Sequence, residues 1–245
     1  MDTNKKLILG GSLLFVVAIG VRVGMMIHER NAPVKAPVKQ EITVQPDELV
    51  FLKKKRQDSL PNAKELIGST LWVSAAGQME YYPYANHKAD FGKKAGILLG
   101  AEQLLVKDAF EQAAPKSATF RIPGGDKQVL LAFTLPKSDK PDALYAVPVG
   151  YHEGGRYTFQ IDEIFFYDDP HTLYAHWGPE VWKAIDSHTA IKGMSEHQTQ
   201  MALGQVSQSP STDQGNRTVV YDNLGHPVSV TFEKDHATSI EPQSK

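Results

Sequence analysis

Histidine and glutamate side chains between residues 171 and 188 could bind a metal ion. They are His171, His176, Glu180 and His188, and imidazole and carboxylate groups are common zinc ligands in hydrolytic enzymes. On one continuous helix, His176 and Glu180 would share a face. Gly178-Pro179 interrupts such a helix, and the spacing of five from His171 to His176 differs from the four of zincin motifs. We therefore predict no metal ligand, and a metal-assisted hydrolase built on these four residues is an alternative function.

Ser195 and His197 suggest a nucleophile beside its base. One residue separates them, so their side chains would point apart on a helix. Ser195 also fits a capping role at a helix start. Gly124-Gly125 and Gly154-Gly155 are typical of turns and lack the spacing of phosphate-binding loops. We predict a non-enzymatic protein with no catalytic residue and no cofactor.

The composition excludes several classes of protein. The chain has 245 residues, of which 26 are basic and 28 acidic, so its charges nearly cancel and no net field attracts nucleic acid. It contains no cysteine, which excludes disulfides, thiol catalysis and cysteine-ligated zinc. Oxidising and reducing compartments both stay open. We predict no nucleic-acid partner.

Leu7–Ile27 is a strongly apolar run, interrupted by Arg22 and preceded by Lys5-Lys6. A helix needs ~20 apolar residues to cross a bilayer. We therefore predict that residues 1–30 form an uncleaved anchor, with residues 7–27 crossing the inner (cytoplasmic) membrane once. A cleavable signal peptide with a weak site at Ala18-Ile19-Gly20 is the alternative. Basic residues on both sides of the run leave the orientation open.

Residues 31–65 predict a tether followed by a short helix. Two copies of Ala-Pro-Val-Lys, at 32–35 and 36–39, favour an extended, polyproline-like backbone. Asp47–Gln57 begins with acidic and ends with basic residues, which suits the dipole of a short helix. Its basic run Lys53–Arg56 is predicted to be a solvated helix end rather than a surface for anionic lipid.

Residues 66–163 contain short apolar segments with turns about every ten residues, a pattern that predicts the strands of a small barrel or sandwich. Pro83 predicts an edge strand, because proline cannot donate to a ladder. A bacterial SH3-like barrel is resembled by three segments together: Ile67–Val73, the tyrosine segment Tyr81–Tyr84, and Gly96–Val106. The resemblance implies a partner-binding surface lined by Tyr81, Tyr82 and Tyr84. Half-buried strand residues are the alternative interpretation of these tyrosines.

Residues 164–204 predict three helices. Asp169 caps the first, which begins at Pro170. The second begins at Pro179 and carries Val181, Trp182 and Ile185 on one face. The third follows Ser195, which forms a capping box with Gln198, and it ends at Gly204.

A β-meander is predicted after these helices. Val219 and Tyr221 share one strand face, and Val228, Val230 and Phe232 share the next, because side chains in a strand alternate between faces. The tetrad Asp222–Gly225 supplies the turn between them. Residues 237–240 would add a third strand.

This order of elements resembles the SmpA/OmlA family of bacterial envelope modules, the BamE-like domains. The matching residues are Gly193, Met194, Ser195, Gln198, Leu203, Gly204, Tyr221, Val230 and Phe232. The chain departs from the family pattern at Thr199 and Val206. The resemblance implies contact with other envelope proteins during assembly, rather than catalysis, and a body outside the cytoplasm.

The predicted fold is α+β, in four parts. These are an N-terminal transmembrane helix (1–30), a tether with a short helix (31–65), an SH3-like small β barrel (66–163) and a C-terminal helix–helix–β-meander, BamE-like domain (164–245). The predicted function is a membrane-anchored, non-enzymatic scaffold for envelope proteins, with its globular part periplasmic or otherwise extracytoplasmic. A cell-wall module that binds peptidoglycan through the tyrosines is a second alternative.

Overall fold

The computed structural model describes residues 21–26, 46–115 and 121–243. The chain divides into two compact units, Met1–Val44 and Gln45–Lys245. In the first unit, residues 21–26 are helical and exposed. No helix within the described ranges is both long and apolar enough to cross a membrane. Most of the predicted anchor, and the tether up to residue 45, lie outside the described residues.

Thirteen strands and five α-helices are described in the second unit. The strands of the larger sheet are β1 (Thr70–Val73), β2 (Glu80–Ala85), β3 (Lys88–Ala89), β4 (Gly96–Ile97), β5 (Gln103–Gln112), β6 (Lys127–Thr134), β7 (Tyr145–Glu153), β8 (Arg156–Phe159) and β9 (Phe165–Phe166). Those of the smaller sheet are β10 (Ser207–Gln208), β11 (Thr218–Tyr221), β12 (Val228–Glu233) and β13 (His236–Pro242). The helices are α1 (Leu60–Lys64), α2 (Ile161–Ile164), α3 (Pro170–Leu173), α4 (Pro179–Asp186) and α5 (Glu196–Leu203). Three short 3₁₀ helices cover Pro46–Leu49, Ala175–Trp177 and Asn223–Gly225.

The larger sheet is antiparallel and has the order β3-β2-β7-β6-β5-β1-β9, with β4 paired to β2 and β8 paired to β7. Its central strand β6 is buried on both faces. Leu131 and Phe133 enter one core, while Leu130 and Ala132 enter another on the opposite face. A strand covered on both sides needs apolar residues at every position, which explains the unbroken apolar run in β6.

The predicted fold class is wrong. The described residues are mostly sheet, with 33% in strands against 23% in helices, and they contain one large antiparallel sheet. They do not contain a helix able to cross a membrane. The predicted small barrel ended at residue 163, but β9 follows that point and pairs with β1 through Trp72 and Phe166. Strand patterns indicate where strands lie, and the pairing depends on contacts that no local pattern encodes.

The edge position predicted for Pro83 is also wrong, because β2 lies between β7 and the short strands β3 and β4. On the β3/β4 side, β4 pairs with Glu80 and Tyr81, while β3 pairs with Tyr84 and Ala85. Pro83 falls between these two registers, where its carbonyl accepts a hydrogen bond from the Asp90 amide at 2.9 Å, so the proline costs the ladder at most one bond.

The helices predicted from Pro179 and after Ser195 are confirmed, whereas the one predicted from Pro170 is a single turn, Pro170–Leu173, followed by the 3₁₀ helix Ala175–Trp177. The Asp169 side chain accepts a hydrogen bond from the amide of His171 at the start of α3. Both bonds of the predicted capping box are present at the start of α5, from the Gln198 amide to Ser195 Oγ and from the Ser195 amide to the Gln198 side chain. Gly204 follows α5 with a φ of 100°, a conformation that glycine adopts without strain.

Loss of the Ser195 cap gives a direct test of this local structure. We expect Ser195→Ala to lower the free energy of unfolding by about 1 kcal/mol, because the Gln198 amide loses its acceptor. Urea titration of the full chain measures the change. Ser195→Thr keeps an acceptor oxygen and should restore most of the stability; a Thr variant as unstable as the Ala variant would contradict the capping role.

The meander is confirmed in the smaller sheet, which has the order β10-β11-β12-β13. Tyr221 and Val230 are fully buried, and Phe232 is 1% exposed, all in one core with α4 and α5. The fourth strand, β10, was not predicted, because Ser207-Gln208 is polar and only two residues long.

Close backbone contacts join the two sheets' cores within the second unit. The Gln205 amide donates to the carbonyl of Ala76 at 2.8 Å, and the Gln205 side chain donates to the carbonyl of Ser74 at 2.9 Å. Gly100 packs against the end of α5 so closely that a Cβ would overlap the carbonyl oxygen of Met201. The end of α5 and the residue after Gly204 therefore contact the loop that follows β1 and the loop between β4 and β5.

Candidate functional site

Residues 46–59, which we call the strap, are fixed to the rest of the second unit at two places. The predicted helix over Asp47–Gln57 is wrong beyond its first turn, because residues 50–58 have no regular secondary structure. Contacts with residues more than a hundred positions away replace the local bonds of a helix. Arg56 has a φ of 52°, which is not helical.

The first clamp is the carboxylate of Asp47. Its Oδ1 lies 2.5 Å from His176 Nε2 and accepts a hydrogen bond from Trp177 Nε1 at 2.7 Å. Its Oδ2 lies 3.0 Å from His197 Nδ1. Burial alone would raise the pKa of Asp47, but the hydrogen bonds from these three side chains outweigh burial and hold the pKa below its ordinary value. The clamp thus joins the start of the strap to the segment before α4 and to α5.

The Asp47 clamp predicts that the strap is sensitive to acid. A carboxyl with a lowered pKa stabilises the fold above its ordinary pKa, and this contribution is lost as pH falls through the lowered value. The imidazole rings of His176 and His197 also face the clamp. We expect amide exchange at Val50, which donates to the Asp47 carbonyl, to accelerate about tenfold in Asp47→Ala, as for the loss of a charged hydrogen bond at a partly exposed site.

Hydrogen exchange with mass spectrometry on the full chain measures this change between pH 7 and pH 3. Asp47→Asn is the matched control, since it keeps the shape and has no carboxyl to titrate. Its protection should vary less with pH than that of the wild type. Equal pH dependence in the two proteins would contradict the role of Asp47.

The second clamp is the carboxylate of Asp162, at the start of α2. It accepts hydrogen bonds from the backbone amides of Lys55 at 3.0 Å and Arg56 at 2.9 Å, and from the Tyr167 hydroxyl at 2.7 Å. Burial would raise the pKa of Asp162, but these bonds and the charge of Lys54 lower it overall. The Gln57 side chain donates to Tyr167 at 2.9 Å and extends the clamp by one residue.

The basic run of the strap lies against acidic residues, unlike the solvated helix end that the sequence predicts. Lys53 Nζ is 2.6 Å from Asp168, and Lys54 Nζ is 3.8 Å from Glu163. Lys55 Nζ lies 5.1 Å from the centre of the Tyr167 ring, within range of a cation–π contact. These exposed contacts orient the strap on the body but contribute little to the free energy of folding.

Between the clamps, the side chains of the strap alternate between the body and solvent. Val50 and Leu52 pack on the core of the smaller sheet and its helices. Leu49 and Phe51 point outward, with 74% and 84% of their surface exposed. A phenylalanine exposed to this degree on a segment held at both ends is unusual, because folding normally buries such a ring. This outward pair is an exposed apolar surface next to the basic run of the strap.

The histidines predicted as an alternative metal site face different partners. His171 contacts Asp169 at 2.9 Å and Asp186 at 3.0 Å, whereas His176 contacts Asp47. His188 is largely buried, its Nδ1 has no hydrogen-bond partner among the described residues, and burial lowers its pKa. Glu180 is exposed on α4. Within the described ranges, no three acidic or histidine side chains form a group that could hold a metal ion.

The Ser195–His197 pair considered for catalysis is separated. Ser195 Oγ accepts from the Gln198 amide at 3.1 Å as the helix cap, and His197 contacts Asp47. The Ser195 side chain therefore caps α5, and the His197 side chain holds the strap. They lie near a cleft of about 680 Å³ beside the first clamp, which Ser195 lines together with Trp177, Lys234 and His236.

The three tyrosines predicted as a partner surface do not share one face. Tyr81 packs in the first core of the larger sheet, where burial raises its pKa to about 12. Tyr82 and Tyr84 lie on the opposite face. Tyr82 is 3% exposed and donates to Glu80, while the Tyr84 hydroxyl donates to Asp108 at 2.5 Å. Of the three, Tyr84 lines a groove of about 700 Å³ together with Phe91 and Pro115.

Comparison with protein-family models, with curated proteins and with solved structures found no match for this chain.

The strap was missed in the sequence because its acidic start and basic end are also typical of a helix. One signal was present in Leu49-Val50-Phe51-Leu52, four apolar residues inside a charged stretch. Four consecutive apolar residues are not expected in a solvated helix. They are expected in an extended segment with apolar side chains on both of its faces.

Proposed function

We propose that this protein is a non-enzymatic interaction scaffold and that a partner protein docks on the outward side of the strap. The observation that carries the proposal is the exposure of Phe51, 84%, beside Leu49, 74%. Aromatic side chains dominate the binding energy of protein interfaces, and a well-placed one contributes about 2 kcal/mol or more.

The fixed position of the strap supports the same function. A binding segment that is already ordered loses little conformational entropy when the partner arrives. The Asp47 and Asp162 clamps supply this order with hydrogen bonds on both sides of Leu49 and Phe51.

The chemistry of the clamps favours binding over catalysis. The Asp47 carboxylate is engaged by three donors, and the Asp162 carboxylate is engaged by two amides and a hydroxyl. A general base needs a free lone pair aimed at a substrate proton. These carboxylates instead use their oxygen atoms to fix the backbone of the strap.

Comparative affinity purification from the native cells tests the proposal. The tagged full chain is compared with the Leu49→Ser/Phe51→Ser variant and with Leu144→Ser, a control whose side chain is 39% exposed on the loop before β7. We expect at least one protein recovered with the wild type to fall tenfold or more in the double variant and to be unchanged in the control. Equal recovery of every co-purified protein in all three would overturn the proposal.

A further inference from the structure

We infer that the partner docks as an extended segment that runs alongside the strap as an added β-strand, and that this segment carries acidic and apolar residues. The inference rests on the proposed function and specifies the chemistry of the partner. Strand addition draws its affinity from main-chain hydrogen bonds and its specificity from pockets for alternate side chains.

The backbone of the strap between its clamps has unused hydrogen-bonding groups. Val50 donates to the Asp47 carbonyl, and Lys55 and Arg56 donate to Asp162. For residues 51–54, neither the amides nor the carbonyls form a hydrogen bond with any described residue. In an extended segment, alternate residues point their donors and acceptors to the same edge, so two of these four residues have free groups for one added strand.

The side chains of residues 50–53 alternate as in a strand. Phe51 and Lys53 are exposed, and Val50 and Leu52 are partly buried against the body. A partner strand beside them would place one set of its side chains against Phe51 and the other set toward the body.

A cavity on the side of the strap that faces the body gives space for the partner side chains that would point toward the body. It has a volume of about 240 Å³ and lies beside the strap, with Leu52, Phe165, Phe166 and Leu173 in its apolar wall. Its charged lining consists of Lys53, Lys54, Asp162, Glu163 and Asp168, so an uncharged side chain suits it better than an acidic one. This volume gives room for one aliphatic side chain of a strand laid along the strap, which is the kind of pocket that gives strand addition its specificity.

The charges of the strap indicate the polar residues of the partner. Lys53 and Lys54 have acidic neighbours in Asp168 and Glu163. The side chains of Lys55 and Arg56 have no carboxylate within ion-pair distance among the described residues. Acidic side chains in the partner would neutralise these two cations, whereas basic side chains there would be repelled.

Fluorescence anisotropy with three labelled hexapeptides and the full chain tests the inference. The probes are Val-Asp-Val-Asp-Val-Asp, Val-Lys-Val-Lys-Val-Lys, and Val-Asp-Pro-Asp-Val-Asp, whose proline removes a main-chain donor and blocks strand pairing. We expect the first probe to bind at least tenfold more tightly than either of the others. Equal binding of all three would overturn the inference, as would no binding of the first.

Variants of the strap locate the binding. Phe51→Ser and the Lys55→Gln/Arg56→Gln pair should each weaken binding of the acidic probe about tenfold, while Leu144→Ser leaves it unchanged. All are surface changes, and an unfolding curve for each variant tests whether it is folded. An acidic probe that binds these variants as tightly as the wild type would place its site elsewhere and refute the inference.

The two proposals fail in different ways. If co-purified proteins depend on Leu49 and Phe51 but the acidic probe does not bind, the strap is a docking site for a partner of another shape, and strand addition is wrong. If recovery does not depend on Leu49 and Phe51 and the probe also fails, the proposed function is wrong as well.

Discussion

The free energy of unfolding should fall by about 3 kcal/mol or more when Phe232 is replaced by alanine. Phe232 is 1% exposed in β12 and belongs to the core that α4 and α5 form with the smaller sheet. Its removal takes away the transfer free energy of an aromatic ring and leaves a cavity among rigid neighbours. Tyr221 and Val230, fully buried in the same core, cannot both move to fill it.

Ser229 on the same strand is the matched control. It is partly exposed and pairs with Val220, which is itself 36% exposed. We expect Ser229→Ala to change stability by less than about 0.5 kcal/mol, as for other surface substitutions. Urea titration of the full chain measures both variants. A larger loss for Ser229→Ala than for Phe232→Ala would mean that the register of β12 is wrong.

Replacement of Gly100 by alanine should destabilise the protein by about 3 kcal/mol, the upper part of the range for overpacked positions. The new methyl group would overlap the Met201 carbonyl oxygen and lie 3.1 Å from the Ala76 methyl. The carbonyl belongs to the backbone of α5 and cannot rotate away as a side chain can. The end of α5 must therefore move off the loop between β4 and β5.

Gly124→Ala is the control for this prediction. A methyl group at that position would meet Ala114 at 3.6 Å, an ordinary van der Waals contact. Thermal unfolding should show a clear fall in Tm for Gly100→Ala and little change for Gly124→Ala. Equal Tm values for Gly100→Ala and the wild type would show that α5 does not pack on Gly100 as described.

The helices and the meander after residue 164 could be predicted because local chemistry determines them. Ser195 and Gln198 form a cap from residues three apart, and Tyr221 and Phe232 lie at inward positions of their strands. Patterns of this kind operate within a few residues and need no knowledge of the rest of the chain.

The larger sheet could not be predicted in the same way. Its strands were visible as apolar segments, but the order β3-β2-β7-β6-β5-β1-β9 joins segments far apart in sequence. The pair between Trp72 and Phe166 illustrates the difficulty, since 94 positions separate these residues. Both are aromatic residues in short apolar runs, and neither run specifies its partner.

The strap shows the same limit at the candidate site. The sequence contains the acidic start, the basic end and Phe51, but the identity of the clamps depends on Asp162 and Trp177, more than a hundred residues away. The predicted tyrosine surface failed for a related reason. Adjacent residues in a strand point to opposite faces, so Tyr81 and Tyr82 enter different cores.

Site-specific photo-crosslinking in living cells tests the central claim most directly. A photoreactive phenylalanine analogue replaces Phe51 in the full chain, and in a parallel strain it replaces Leu144, which is exposed on a different part of the fold. If a partner docks on the strap, a light-dependent adduct with another protein forms at position 51 and is absent at position 144. The same adducts at both positions, or none at position 51, would contradict it.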